Sequence, residues 1–138
     1  MSITNYDPTI WGPNEWFFLE TMVRSLPDTI NNDLQSKLKT HFITLSYLLP
    51  CKICQTHFAT YIEQTKLDRL DFSKKIYVVT WLNNLHNLRL DDKRSVTQVN
   101  EYYEKAYQKN VQTYRDLILL FACVATVLLI LKRLIIRP

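Results

Sequence analysis

Glycine is nearly absent from this chain of 138 residues and occurs once, at Gly12. Neither a dinucleotide-binding G-x-G-x-x-G turn nor a P-loop can therefore be written anywhere along it, since both need glycines where backbone approaches phosphate. A nucleotide cofactor, if one binds, has to be held on a helical surface. Cysteine is scarce too, and three are too few for the disulfide scaffold of a small secreted domain. Cys123 lies inside a hydrophobic tail where a redox partner hardly reaches, which leaves Cys51 and Cys54 as the working thiols. A basic excess is also missing. Residues 1–116 carry 14 Lys/Arg against 13 Asp/Glu, and Lys132, Arg133 and Arg137 supply the rest of the net charge of +4, so no basic face is expected for nucleic acid. The opening MSITNYDPTIWGPNEW is polar and aromatic rather than charged and then apolar, so no signal peptide is expected, and translation is expected to finish in the cytosol.

What the chain does contain is apolar residues at three- and four-residue steps, the period of a helix with one buried face. Trp16, Leu19, Val23 and Leu26 predict a first helix from about Asn14, opened by Pro13 and ended by Pro27 and Asp28. Leu34, Leu38, Phe42, Leu45 and Leu48 predict a second, which Pro50 stops. A third restarts at Cys51 and runs through Phe58, Tyr61 and Ile62, and Thr65–Phe72 read as a polar connection. Ser73 is expected to cap a fourth helix, Lys74 to about Asn87, lined by Ile76, Val79, Leu82 and His86. After a charged link, Ser95 is expected to cap a fifth that carries Tyr102, Tyr103, Ala106 and Tyr107. With no hairpin turn pair beside the β-branched Ile76–Val79 run, a helical bundle is the simplest architecture.

Leu117–Leu131 is uncharged and forms about 22 Å of helix at ~1.5 Å per residue; extension to Ile136, with Lys132 and Arg133 snorkelling, brings it to about 30 Å, the thickness of a hydrocarbon core. A segment apolar on every side and flanked by basic residues predicts a C-terminal anchor in preference to a buried core helix. The expected division is a domain over 1–110 and a juxtamembrane segment with anchor over 111–138. Lys105, Lys109 and Arg115 balance Lys132, Arg133 and Arg137, so the positive-inside rule returns a tie. The expected lack of a signal peptide favours a domain facing the cytosol.

In Pro50-Cys51-Lys52-Ile53-Cys54 the two thiols lie one turn apart at a helix start, where free N–H groups and the dipole favour the thiolate that disulfide exchange requires. Lys52 and His57 add nearby groups that can lower a thiol pKa. A C-x-x-C alone also suits zinc, with Cys51, Cys54 and His57 as ligands and His41 or His86 as the fourth, although three ligands on one helix make poor tetrahedral geometry. A thioredoxin-like site needs a strand-to-helix context that the pattern lacks. A membrane-anchored adaptor without chemistry is the remaining alternative.

The order Trp11-Gly12-x-x-x-Trp16-x-x-Leu19, then Pro50-Cys51-x-x-Cys54-x-x-His57-Phe58, then Trp81-Leu82-x-x-x-His86-Asn87 resembles the Erv/ALR family of FAD-linked sulfhydryl oxidases, in particular the compact members of large DNA viruses. The resemblance covers residues 10–95. It implies an all-α four-helix bundle with an additional short helix, here followed by the C-terminal transmembrane helix, and FAD as cofactor. It also implies a homodimer and electron flow from a substrate dithiol through Cys51–Cys54 and FAD to oxygen, with release of hydrogen peroxide. By position, Cys54 is the thiol beside the flavin and Cys51 the one that exchanges with substrate. Trp11, Gly12, Trp16, His86 and Asn87 match cofactor-lining positions, with Asn83 one turn before His86 and with His57 packing around the site. Two departures stand out: Glu20, still expected among the cofactor-binding residues, occupies a position where the family often has histidine, and His86-Asn87-Leu88-Arg89-Leu90 lacks the usual Val and second Asn. Lys93, Arg94 or the tyrosines at 102, 103 and 107 are the expected substitutes. Lacking a second cysteine pair as shuttle, the chain is expected to take electrons directly from a protein dithiol or a thioredoxin-like relay protein, on a virion or host membrane.

Overall fold

A computed structural model describes residues 6–88 and 93–135. Among them the protein is all-helical: α1 (Pro8–Arg24), α2 (Asn32–Leu48), α3 (Lys52–Thr65), a 3-10 turn (Leu67–Arg69), α4 (Lys75–Asn87) and α5 (Val96–Ile135). Chain contacts divide it into a unit ending at Val96 and a second beginning at Thr97.

In the first unit α2 packs on α3 and α1 on α4. Leu19 and Val23 of α1, Leu38 and Phe42 of α2, Phe58 of α3, and Val78, Val79, Leu82 and Leu85 of α4 form the core. Trp81 is its hub. Its ring centroid lies 4.8 Å from that of Phe42, 5.3 Å from Tyr61 and 5.8 Å from Phe72. Its indole N–H donates to Thr65 Oγ1 at 3.1 Å, which satisfies the polar edge of a buried ring. The Tyr61 hydroxyl donates to the Trp81 carbonyl at 3.1 Å, and burial holds that phenol above its ordinary pKa, so it remains a donor.

Several element ends differ from the sequence expectation for identifiable reasons. The first helix starts at Pro8, not near Asn14, because the Asp7 carboxylate caps it by accepting from the Thr9 N–H at 2.9 Å and Pro8 occupies the first turn. Pro13 lies inside the helix, and its side chain faces solvent. The connection after α3 is not simply polar: Leu67 and Phe72 are buried, with the 3-10 turn between them and Lys66 left-handed at φ 50°. Ser73 does not cap α4, which begins at Lys75. Its carbonyl instead accepts from the Ile30 N–H at 2.8 Å, part of an isolated antiparallel bridge between Thr29 and Lys74. The Gln35 side chain ties these loops together, donating to the Ile30 carbonyl and accepting from the Phe72 N–H.

The second unit is the body of α5, about 60 Å of unbroken helix at ~1.5 Å per residue. Its side chains from Leu117 to Leu131 are exposed, and Val96–Lys132 is long and apolar enough to cross a membrane.

Candidate functional site

The first part of the site is the junction between α2 and α3. Pro50 holds Leu49 extended, with ψ 134°, so α2 cannot run on. The next residue to enter a helix is Lys52, which makes Cys51 the N-cap of α3 rather than its first turn. Cys51 and Cys54 form a disulfide with Cα atoms 5.1 Å apart. Both are half-buried, but only Cys54 packs against the hydrophobic core. The Cys54 N–H donates to Cys51 Sγ at 3.2 Å. A donor at the positive end of the helix is thus aimed at Cys51 Sγ and stabilises that sulfur whenever it is released as a thiolate. Gln55 braces the junction: its amide donates to the carbonyls of Tyr47 at 3.0 Å and Leu49 at 2.7 Å, and its oxygen accepts from Lys52. His57 is exposed on the helix surface.

The second part lies on α1 and α4. The rings of Trp16 and His86 stack at 4.0 Å and 5°. His86 Nδ1 lies 3.3 Å from a carboxylate oxygen of Glu20, which is wholly buried and also pairs with Arg24. A buried carboxylate persists only when paired. The contact orients the imidazole by its Nδ1 edge against the carboxylate, with the Nε2 edge on the opposite side of the ring. Next to this pair, the side-chain amides of Asn83 and Asn87 both donate to the Arg94 carbonyl, at 3.0 and 2.8 Å, and Asn87 accepts from the Arg94 N–H. Because that carbonyl demands a donor, the Asn83 amide cannot flip. Its oxygen is buried with no hydrogen-bond partner among the described residues.

Trp11 is half-buried against the same core and donates its N–H to the Tyr6 carbonyl. Gly12 has no positive φ, and a Cβ there would meet nothing within 4 Å, so nothing in the described polypeptide itself demands glycine. Lys93 is exposed, and Arg89 and Leu90 fall outside the described residues. Spacing thus brings Trp16, His86, Glu20, Asn83 and Asn87 to one region and leaves His57 and Lys93 on the surface. Two supports escaped the sequence reading: Arg24, which its i,i+4 spacing from Glu20 could have signalled, and Gln55, for which no sequence signal existed. Among the described residues no three His, Cys, Asp or Glu side chains gather to hold a metal ion, and disulfide-bonded Cys51 and Cys54 have no thiolate to offer one.

The model of the Erv1 / Alr family matches residues 13–106, more than half of the chain. The chain belongs to the Erv1/Alr family. Two viral relatives agree with the resemblance read from the motifs. One, from Acanthamoeba polyphaga mimivirus and named as an FAD-linked sulfhydryl oxidase, is 29% identical over 83 residues, 59% of this chain and 57% of the relative. The other, from Invertebrate iridescent virus 6 and named in the same way, is 26% identical over 89 residues, 62% of this chain and 80% of the relative. The match to the mimivirus protein thus spans little more than half of that protein's length. The fold resembles the crystal structure of a double cysteine-to-serine mutant of Erv1 from Saccharomyces cerevisiae. That match has a TM-score of 0.59 and 19% identity, and covers 70% of this chain and 82% of the yeast one.

The orphaned Asn83 oxygen, the open space beside Gly12 and the stacked Trp16–His86 pair are together suited to a flat ring system that carries hydrogen-bond donors. These residues fit a flavin nucleotide chemically.

Proposed function

We propose that this chain is an FAD-dependent thiol oxidase that forms disulfide bonds in protein substrates and is held to a membrane by α5. The observation that carries the reading is the half-exposed Cys51–Cys54 disulfide at the start of α3 in a chain of the Erv1/Alr family. A substrate thiolate attacks Cys51 Sγ and forms a mixed disulfide, and Cys54 leaves as a thiolate. The second substrate thiol then displaces Cys51. The substrate is thereby oxidised by two electrons, and the pair is left as two thiols. Cys51 is the exchanging member because its sulfur is capped by an N–H, and Cys54 faces inward against the core.

When bound, FAD would supply the two-electron acceptor for the reduced pair and the oxygen chemistry that yields hydrogen peroxide. Trp11, Trp16, His86 and Asn87 would hold it, with Asn83 offering its free oxygen to an N–H. Glu20 serves this site through His86 rather than by touching the cofactor. Gly12 leaves room for the cofactor, Lys93 is available to its phosphates, and His57 borders the exchange site without a direct role. Residues 1–110 form the oxidase domain and 111–138 the juxtamembrane segment and single-pass anchor, with the domain on the cytosolic side of a virion or host membrane. A homodimer is the family's arrangement, and a protein dithiol or a thioredoxin-like relay is the electron donor.

The test is a visible spectrum of the purified chain supplied with FAD, recorded before and after a dithiol is added under air. A flavin band that bleaches and then returns is the expected result. A colourless protein, or a band indifferent to dithiol, overturns the reading.

A further inference from the structure

In the first unit, three of the four most exposed large apolar side chains among the described residues lie within four positions of Cys51 in the chain: Tyr47 at 72%, Leu48 at 71% and Ile53 at 68%. Apolar side chains clustered in this way on a surface mark contact sites, whereas scattered ones do not. The display is also braced. Both bonds from the Gln55 amide go to carbonyls at the end of α2, which fixes the turn carrying Tyr47 and Leu48 beside Cys51. Between Leu34 and Ile62 there is no Asp or Glu, while Lys52 is exposed between the two cysteines and α3 presents its positive end there. The face is therefore apolar with a positive rim.

We propose that Tyr47, Leu48 and Ile53 form the docking surface for substrate proteins whose reactive cysteines are flanked by large apolar side chains and by neutral or acidic rather than basic ones. This rests on the oxidase reading of the same disulfide. A protein thiol that reaches Cys51 Sγ brings the residues beside it toward these three side chains, so the surface selects among dithiols before exchange begins. Burial of one such side chain favours association by an amount that corresponds to about tenfold.

The test uses the full chain with FAD in lipid nanodiscs and measures oxygen uptake with dithiothreitol and with three peptides of equal length. Each peptide holds one Cys-x-x-Cys, flanked by leucines, by serines, or by leucines and lysines. The expected result is a kcat/KM for the leucine peptide about tenfold above that for the serine peptide, with the lysine peptide falling between them. In the combined variant Tyr47→Ser, Leu48→Ser and Ile53→Ser the leucine-to-serine ratio drops toward one. The wild-type ratio tests the proposal even if that variant does not fold. A ratio near one in the wild type overturns it, as does an undiminished ratio in the folded variant. If the variant instead converts a dimer to a monomer by sedimentation with the ratio intact, the surface belongs to a second copy and the proposal falls. No oxidation of dithiothreitol overturns the oxidase reading itself, and this inference with it.

Discussion

At the start of α3, a half-exposed disulfide lies close in the chain to large apolar side chains that are mostly exposed. Across the first unit, on α1 and α4, Glu20 is wholly buried and Arg24, His86, Asn83 and Asn87 are engaged around it and beside it. Apolar groups out and polar groups in is the reverse of ordinary packing in both places. The exchange end needs access, because a second protein's sulfur has to arrive in line with Cys51. The α1–α4 end needs order, because polar atoms removed from water hold a single arrangement when their neighbours partner them, as Glu20, His86, Asn87 and the Asn83 amide nitrogen are partnered here. Substitutions at the exchange end should therefore alter rates and leave the fold intact, and substitutions at the buried end should do both.

The sharpest break of that contrast is Cys54→Ser, expected to reduce dithiol-driven oxygen uptake to background while the midpoint of denaturant unfolding moves little. Full turnover in this variant would remove the disulfide from the mechanism. At the other end, Glu20→Ala leaves Arg24 and His86 without their shared carboxylate. It should cost about 3–5 kcal/mol in denaturant unfolding, the scale for a buried ion pair that loses one member. A loss of under about 1 kcal/mol would mean that the pair is surface-like in its energetics. Asn83→Leu separates cofactor from fold. By removing the orphaned oxygen it should weaken FAD binding about tenfold in equilibrium dialysis while changing stability by only about 1 kcal/mol, since the Arg94 carbonyl keeps Asn87. Equal FAD affinity would exclude that oxygen from the cofactor site. The smallest effect belongs to an exposed control, Asp28, whose carboxyl is held below its usual pKa mainly by its hydrogen bond to Lys75, with the lysine's charge adding to it. A depressed folded pKa gives stability that is present above the unfolded value and lost as pH falls through the folded one. In thermal melts from pH 6 to 2, Asp28→Asn should flatten the acid limb slightly and leave the shape of the curve near neutrality unchanged.

Sequence reading recovered the helices and the disulfide for the same reason: periodicity and a C-x-x-C at a helix start are local properties, visible within one turn. It misplaced the start of α1 because Asp7 and Pro8 offer a cap and a first turn as good as the one Pro13 suggested. It read Thr65–Phe72 as a polar link because two buried side chains, Leu67 and Phe72, show no period of their own. The Glu20–His86 contact was out of reach because 66 positions separate its members. Glu20 appeared as a departure from the family pattern, and only packing revealed that its carboxylate is occupied from within. Gln55 looked like any polar helix residue, yet it determines where Tyr47 and Leu48 stand.

The stacked Trp16–His86 pair also has an optical consequence. An imidazole in face contact with an indole opens a non-radiative route for its excited state, so Trp16 should emit weakly beside its neighbour. Whatever displaces or covers His86 changes that emission against the background of Trp11 and Trp81, and a Trp16→Phe variant identifies the part that belongs to the stacked pair. The protein thus contains its own fluorescent gauge of occupancy at the α1–α4 face, readable without a label and before any turnover takes place.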